Sequence, residues 1–490
     1  MFDAEFLKGE TWGFPGAAVE HIETHAAHVF LAGPRAFKIK KDVKLPYLDF
    51  SSREKRQQAL AAELEINRIF SGDIYLGLME VRGEPVLVMR RFAGGALLSW
   101  QMAHGGIDAG LAGKLAAMAA HSHDRAPRRD TPGAGIMTGL GAQLSGAFVD
   151  SPDIFRPAET IEFHAAYRAA LQTGKALLNA RSERGLVRRC HGDMHAGNII
   201  VEAGEPKLFD AIEFSEKIAT IDVLYDLAFL VMDLWTNAER RAANLVLNRY
   251  LHLRRNAEDL SGLTALPLFL ATRAGVRALV SADLAHEQQM RDSLQARGQA
   301  LDWFRAALAY LRPAAPLLVA IGGLSGTGKS TAAAALAPGI GLAPGAIHVR
   351  SDIERKVLAG VSETERLGAA HYSRDASFAV YDACLARAEA ALRAGQAAVL
   401  DAVFAAPHER RAAEDLARRV GVRFEGLWLE APEALLKSRV ESRHGDASDA
   451  TPQVVDRQLG YDLGQIGWRR IDAGGSASET VARISALLTP

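Results

Sequence analysis

The spacing of apolar positions changes period several times along the chain, and the changes mark its organisation. Residues 28–41, HVFLAGPRAFKIKK, alternate on either side of Gly33-Pro34, which predicts two short strands joined by a turn. Residues 51–70 open on a serine pair and carry apolar residues at helical spacing, predicting a helix. EPVLVMRR at 84–91 predicts another strand, and the glycine pair in RFAGGALLSW a hinge or crossover. From about 95 to 190 the pattern is mostly helical, broken by the Pro/Gly loop RAPRRDTPGAG at 125–135. A second helical stretch covers about 217–311. The order is a small β-rich part with a short sheet, then a large α-rich part.

The pattern changes again at RPAAP, 312–316, where Pro313 and Pro316 end the helix and form a short stiff linker. Beyond it, LLVAIGGL, AIHVR (346–350), AAVLDAVF (397–404) and FEGLWLE (424–430) are strand patterns separated by helical ones. That alternation predicts a parallel sheet covered by helices. The expected division is therefore 1–312, a linker at 313–316, and 317–490.

Length supports more than one core, since 490 residues exceed a single ordinary domain. The apolar fraction of 49 % and charged fraction of 23 % are those of a globular protein. A net charge of −1 argues against a nucleic-acid surface. Cys190 and Cys384 are the only cysteines, which fits a reducing compartment, and the N-terminus lacks a signal-peptide pattern. No unbroken apolar run approaches the ~20 residues that cross a bilayer. The expectation is a cytoplasmic protein without membrane or nucleic-acid partners. The sequence sets no oligomeric state.

Two phosphate-handling motifs stand in the two parts. GLSGTGKS at 323–330 fits G-x-x-x-x-G-K-[ST] between a strand and a helix. In it Gly323, Ser325, Gly326, Thr327, Gly328 and Thr331 would surround phosphates with backbone N–H groups. Lys329 would reach the β/γ oxygens and Ser330 would hold magnesium. Asp352 and Arg355, in RSDIERK, follow the next strand and fall at the carboxyl edge of the sheet. There Asp352 could take a proton from a hydroxyl and Arg355 could hold the substrate; a helix-capping role is the alternative for Asp352. Asp401, closing AAVLD, could position magnesium or only cap its strand. Arg439 and Arg443, at i, i+4, could form a lid over ATP phosphates or an exposed basic face. There is no N-K-x-D guanine motif and no ABC-type signature.

HGDMHAGN at 191–198 fits H-x-D-x-x-x-x-N. Asp193 is spaced to accept a hydroxyl proton, Asn198 to bind magnesium, and Asp210, closing the next strand, to bridge magnesium and phosphates. Lys38 and Lys40 share one face of their strand; one of them would pair the α/β phosphates and a helix glutamate, Glu63 ahead of Glu65. His191 would orient the loop and Asp226 would brace it, with His195 a structural hydrogen-bonder and His121 without a catalytic role. No G-x-G-x-x-G precedes Lys38.

On the P-loop, SDxxRK, VLDA, R-x-x-x-R and SDA (448–450) stretches, residues 316–490 resemble the small P-loop kinases often labelled AAA-type ATP-binding domains, similar to gluconate kinases, chloramphenicol phosphotransferase, polynucleotide kinases and zeta toxins. Residues 1–312 resemble the aminoglycoside phosphotransferase and choline kinase branch of the protein-kinase-like fold. The segment THAAHVFLAG, AFKIKK and LDFSSREKR, within 24–56, makes the whole chain similar to the fusion family of bifunctional aminoglycoside phosphotransferase/ATP-binding proteins. The resemblance implies ATP and Mg2+ as cofactors and a small-molecule hydroxyl as acceptor, with a small β-rich lobe, a large helical lobe and a P-loop domain. Two alternatives are an active P-loop kinase with a regulatory kinase-like partner, and a switch-type ATPase.

Overall fold

The computed structural model describes residues 4–24, 26–45, 48–287, 290–442 and 447–488. The chain forms two compact units, Met1–Gly146 with Lys175–Leu253, and Ala147–Gly174 with Arg254–Pro490. Packing thus groups the helices after Arg254 with the P-loop part, whereas the composition change falls at 312–316. The short helix Ala257–Ser261 packs on the later helix Arg374–Arg393. Phe148, Phe155 and Phe163 close around Phe304 with ring centroids 4.9–5.9 Å away. These contacts explain the grouping.

In the first unit, β1 (Val19–Glu23), β2 (Ala27–Ala32), β3 (Arg35–Lys40), β4 (Tyr75–Val81) and β5 (Glu84–Arg90) form an antiparallel sheet in the order β1-β2-β3-β5-β4. The sheet is larger than the short one expected. YLGLMEV in β4 alternates poorly, with Leu76, Leu78 and Met79 exposed, so it gives no clean strand signal. Strand alternation sends Phe37 and Ile39 to one face, where Trp12 stacks on Phe37 at 4.5 Å. Ala36 faces the other way, against helix α1 (Arg53–Ser71) and its Leu60. Ser52 caps α1 by accepting from the Lys55 N–H. Gly33 turns the β2–β3 hairpin at φ 53°, where a Cβ would also meet the Phe14 ring at 2.9 Å.

The rest of this unit frames one loop. β6 (Val187–Arg189) pairs with β9 (Thr220–Asp222), and β7 (Ile199–Glu202) with β8 (Glu205–Leu208), both antiparallel. Residues 190–198 run between β6 and β7. Helix α2 (Val223–Thr236) is buried from Val223 to Leu234, which makes it a fixed axis beneath that loop.

In the second unit, β10 (Leu317–Gly322), β11 (Ile347–Arg350), β12 (Ala398–Asp401), β13 (Arg423–Glu430) and β14 (Arg469–Asp472) form a parallel sheet ordered β11-β12-β10-β13-β14. Val319, Ile321, Val399, Leu427 and Leu429 fill its core with Ala332, Ala333 and Leu336 of helix α3 (Lys329–Leu336). The alanines let that helix lie close to the sheet. All five carboxyl ends share one edge, where open α/β sheets bind ligands. The stretch Ala257–His286 has membrane-spanning length and holds an 18-residue window of mean hydropathy 1.4, but 67 % of that window is buried within the protein, as in a core helix.

Candidate active sites

The first constellation grows from β3. Lys38 and Lys40, two residues apart, both point toward α1 and share Glu63, which is fully buried. Lys38 Nζ lies 2.7 Å from Glu63 Oε1 and 2.7 Å from Asp210 Oδ1; Lys40 Nζ lies 2.7 Å from Glu63 Oε2 and 2.5 Å from Glu213 Oε1. Only Lys38 therefore joins the helix glutamate to Asp210. Burial opposes the Lys38 charge, but Asp210, Glu63 and Glu213 outweigh it and hold the ammonium well above its usual pKa. Burial raises Asp210 as well, yet Lys38 wins and keeps its carboxylate below the usual range. Burial, with Glu63 beside it, pushes Glu213 up. Sequence reasoning missed Glu213, although it stands three residues after Asp210 in FDAIEF.

Asp193 is partly open, its side chain 37 % exposed. Asn198 Nδ2 donates to Asp193 Oδ2 at 2.7 Å and to its carbonyl at 3.1 Å. Burial pushes the His191 imidazole down, toward the neutral form. The neutral ring fits its two bonds: Nε2–H donates to the Phe209 carbonyl at 3.0 Å, and Nδ1 accepts the Asp193 N–H at 3.3 Å. One histidine thus ties the Asp193 loop to the strand end that carries Asp210. Asp226 accepts the Gly192 N–H at 3.0 Å, and Asp233 the Ala196 N–H at 2.8 Å, both from buried α2. His195 Nδ1 accepts the Gly197 N–H at 3.0 Å. His121 bonds the Ala117 carbonyl one turn back in its own helix.

Asp210 sits at φ 60°, a left-handed conformation that aspartate tolerates better than most residues. Its N–H donates to the Tyr75 hydroxyl at 2.8 Å, and the next N–H, of Ala211, to Asn67 Oδ1 at 2.8 Å. Tyr75 and Asn67 carry no motif, and sequence reasoning missed both. The register of β2 and β3 sets Ala27 opposite Lys40, so the start of β2 lies at the lysine end of the sheet. The carboxylates of Asp193, Asp210, Glu63 and Glu213 outnumber the two ammonium groups, a donor set and charge excess that suit a divalent cation.

The second constellation starts where β10 ends. Gly323, Gly326 and Gly328 have φ of 141°, 88° and 86°. At Gly326 a Cβ would come 2.4 Å from the Leu436 carbonyl oxygen, so the turn requires glycine twice over. Lys329 opens α3 and its Nζ donates to the Leu324 carbonyl at 3.2 Å; Ser330 and Thr331 follow in the same first turn. The Ser325 N–H donates to Gln458 at 2.7 Å. A cavity of about 230 Å³ is lined by Gly326, Thr327, Gly328, Thr331 and Arg439.

Asp401 closes β12 beside this loop. Burial opposes its charge, but the hydrogen bond from His348, at 3.3 Å, and the nearby Arg350 and Lys329 lower its pKa to about 2. Asp352 opens helix α4 (Ser351–Leu358), and burial followed by repulsion from Asp401 raises its pKa. The two carboxylates are thus driven apart in proton affinity. His348 and Arg350 alternate on β11, the signal that could have found them.

Other candidates are engaged differently. Arg355 donates to the His371 carbonyl at 2.6 Å and lies 4.6 Å above the Tyr372 ring. Arg439 borders the cavity, but its guanidinium donates to the carbonyls of Ala473 (2.9 Å) and Gly475 (2.7 Å). Arg443 lies outside the described residues. Lys356, the last residue of the SDxxRK stretch and given no role from sequence, is buried and pairs with Asp449 of the SDA stretch at 2.7 Å. Asp449 also accepts from Tyr372 at 2.6 Å and from the Leu367 N–H at 3.2 Å, so it pins the segment over Asp352.

Comparison with known proteins gives the same two parts. Residues 48–266 match the phosphotransferase enzyme family and residues 318–461 an AAA domain family. Uncharacterized protein Rv2004c of Mycobacterium tuberculosis is 30 % identical over 485 residues, covering 94 % of this chain and 93 % of the relative. Uncharacterized protein Mb2027c of Mycobacterium bovis matches to the same extent. Among solved structures, a choline/ethanolamine kinase family protein from Mesorhizobium loti is 17 % identical, covers 61 % of this chain and 93 % of its own, and has a TM-score of 0.36. A gluconokinase from Sinorhizobium meliloti is 21 % identical, covers 36 % and 93 %, and has a TM-score of 0.27. The two family matches support kinase-type phosphoryl transfer. A kinase-like part followed by a P-loop part, shared along almost the whole chain with the mycobacterial relatives, places it: the chain belongs to the bifunctional aminoglycoside phosphotransferase/ATP-binding protein family.

Proposed function

We propose that the protein is an ATP- and Mg2+-dependent phosphotransferase with two sites, each moving the γ-phosphate to a hydroxyl of a small molecule. The observation that carries the two-site reading is Lys38, which reaches Glu63 and Asp210 at 2.7 Å each in a part of the chain separate from the P-loop. A kinase-like site needs that bridge so that its lysine and metal ligand stay in register. In the first site Lys38 would hold phosphate oxygens, Asn198 and Asp210 the metal, and Asp193 would accept the hydroxyl proton. In the second, the 323–331 turn and Lys329 would hold phosphates, Ser330 and Asp401 the metal, and Asp352 would act as base. Bound magnesium would neutralise charge on the transferring phosphate; positioning by these residues would supply the rest. The functional border is proposed at 313–316 and the working compartment as the cytoplasm.

The test is ATP-dependent transfer to a panel of sugars, amino-alcohols, nucleosides and aminoglycosides, measured with Asp193→Asn and Lys329→Ala. Each variant should lose a different transfer activity. If Asp193→Asn loses none while the first site still binds nucleotide, that site is regulatory; if ATP is only hydrolysed, the protein is a switch.

A further inference from the structure

Helix α4 carries Asp352, and its next acidic residue, Glu354, faces inward with a side chain 6 % exposed. Two arginines meet it. Arg255 Nη1 contacts both carboxylate oxygens, at 3.0 and 2.8 Å, and Arg387 Nε lies 3.2 Å from one of them. Arg387 belongs to the P-loop part; Arg255 precedes the linker by more than fifty residues and ends the connection from the helix Arg240–Arg254.

The backbone at Arg255 is left-handed, φ 47°. A residue just past a helix C-terminus in that conformation is ordinarily glycine or asparagine, because a larger side chain is strained there. The arginine is held in spite of that cost. Its neighbours immobilise the turn: buried Arg254 bonds Asp259 at 2.8 Å, and Asn256 caps the helix Ala257–Ser261 through the Glu258 N–H at 3.0 Å. On α4 itself, Glu354 and Lys356 are both tied by buried ion pairs, so the helix is fixed on either side of Arg355.

We infer that Arg255 is a positioning residue for the P-loop site: its guanidinium fixes α4 so that Asp352 stays at the carboxyl edge of the sheet. The P-loop phosphotransferase then includes a residue from the chain before the linker, and its catalytic helix is set by that residue. The inference rests on the P-loop reading proposed above.

The experiment measures ATP turnover by the full chain, with Lys329→Ala defining the P-loop share and unfolding curves recorded for every variant. Misplacing a reacting group by about 1 Å can cost about a hundredfold, so Arg255→Met should lower kcat of the Lys329-dependent share at least about tenfold while KM for ATP moves less than about twofold. Arg255→Lys, which keeps the charge but loses the planar guanidinium, should recover part of kcat. An unchanged kcat in Arg255→Met overturns the inference and leaves the P-loop reading intact. Should that variant not fold, Arg255→Lys decides: full kcat overturns the inference, and a lowered kcat at constant KM supports it. If Lys329→Ala leaves turnover unchanged, the P-loop reading itself falls.

Discussion

Lys38 and Glu63 meet at 2.7 Å with the glutamate wholly enclosed, and the same carboxylate also holds Lys40. One buried acid serves two ammonium groups, that of Lys40 buried and that of Lys38 partly so. Glu63→Gln leaves each ammonium group with one carboxylate, Asp210 for Lys38 and Glu213 for Lys40, and weakening a buried charged contact in this way costs ~1–3 kcal/mol. Denaturant unfolding of the variant should show the transition of the kinase-like part shifted down by that amount, and a shift below ~1 kcal/mol would contradict the arrangement.

Lys38→Met and Lys40→Met should differ. Lys38 alone bridges to Asp210, whereas Lys40 turns to Glu213. Loss of Lys38 should lower first-site transfer by ~100-fold or more, by removing charge stabilisation at the phosphates. Lys40→Met should act mainly on stability, with transfer within ~10-fold of the parent. Steady-state rates of the two variants, compared under Lys329→Ala, make the distinction.

Gly326→Ala should abolish nucleotide binding at the P-loop. The new methyl would stand 2.4 Å from the Leu436 carbonyl, at a φ of 88° that alanine disfavours. Either the loop or the helix Glu433–Glu441 must then shift. Titration with a fluorescent ATP analogue in a Lys38→Met background, which weakens phosphate binding at the first site, should show the second site lost, and retained affinity there would refute the cradle geometry.

Stability should fall in acid partly through Asp401. Its pKa of about 2 lies below the unfolded value of 3.8, so the ionised carboxylate stabilises the fold above about pH 4. That contribution, ~2 kcal/mol, fades as the pH drops through the window from 4 to 2. Asp401→Asn should flatten the acid limb of thermal unfolding in that window. An identical limb in the variant would mean that His348 does not hold the carboxylate as described.

Asp449→Asn should loosen the segment that closes over Asp352. It removes the charge that pairs with buried Lys356 and leaves one acceptor oxygen where two now serve Lys356, Tyr372 and Leu367. Hydrogen exchange across 362–373 should accelerate while the sheet strands stay protected.

Much of both sites was legible in the sequence. The P-loop and HGDMHAGN carry their chemistry in spacing, and strand alternation put Lys38 and Lys40 on one face with Glu63 in the helix that follows. What spacing could not show is which lysine reaches Asp210, because that depends on where a turn 172 positions later comes to rest. Arg355 reads as a substrate-holding group and Arg439 as part of a phosphate lid or a basic face, yet both spend donors on carbonyls of loops whose course no local pattern sets. Strand β4 was missed because its apolar side chains face outward, and β14 because four residues, RRID, bury only Ile471. Tyr75 and Asn67 act through hydrogen bonds to backbone, which leave no trace in composition.

The interleaving of the two compact units has a practical meaning for anyone handling the gene. Because Ala147–Gly174 returns to the unit that begins again at Arg254, no single scission separates the units; cuts would be needed near 146, 174 and 253. A fragment started at the proline linker would lack Arg255 and the phenylalanines that surround Phe304. A gene cut at the linker would therefore divide the second unit rather than part the two.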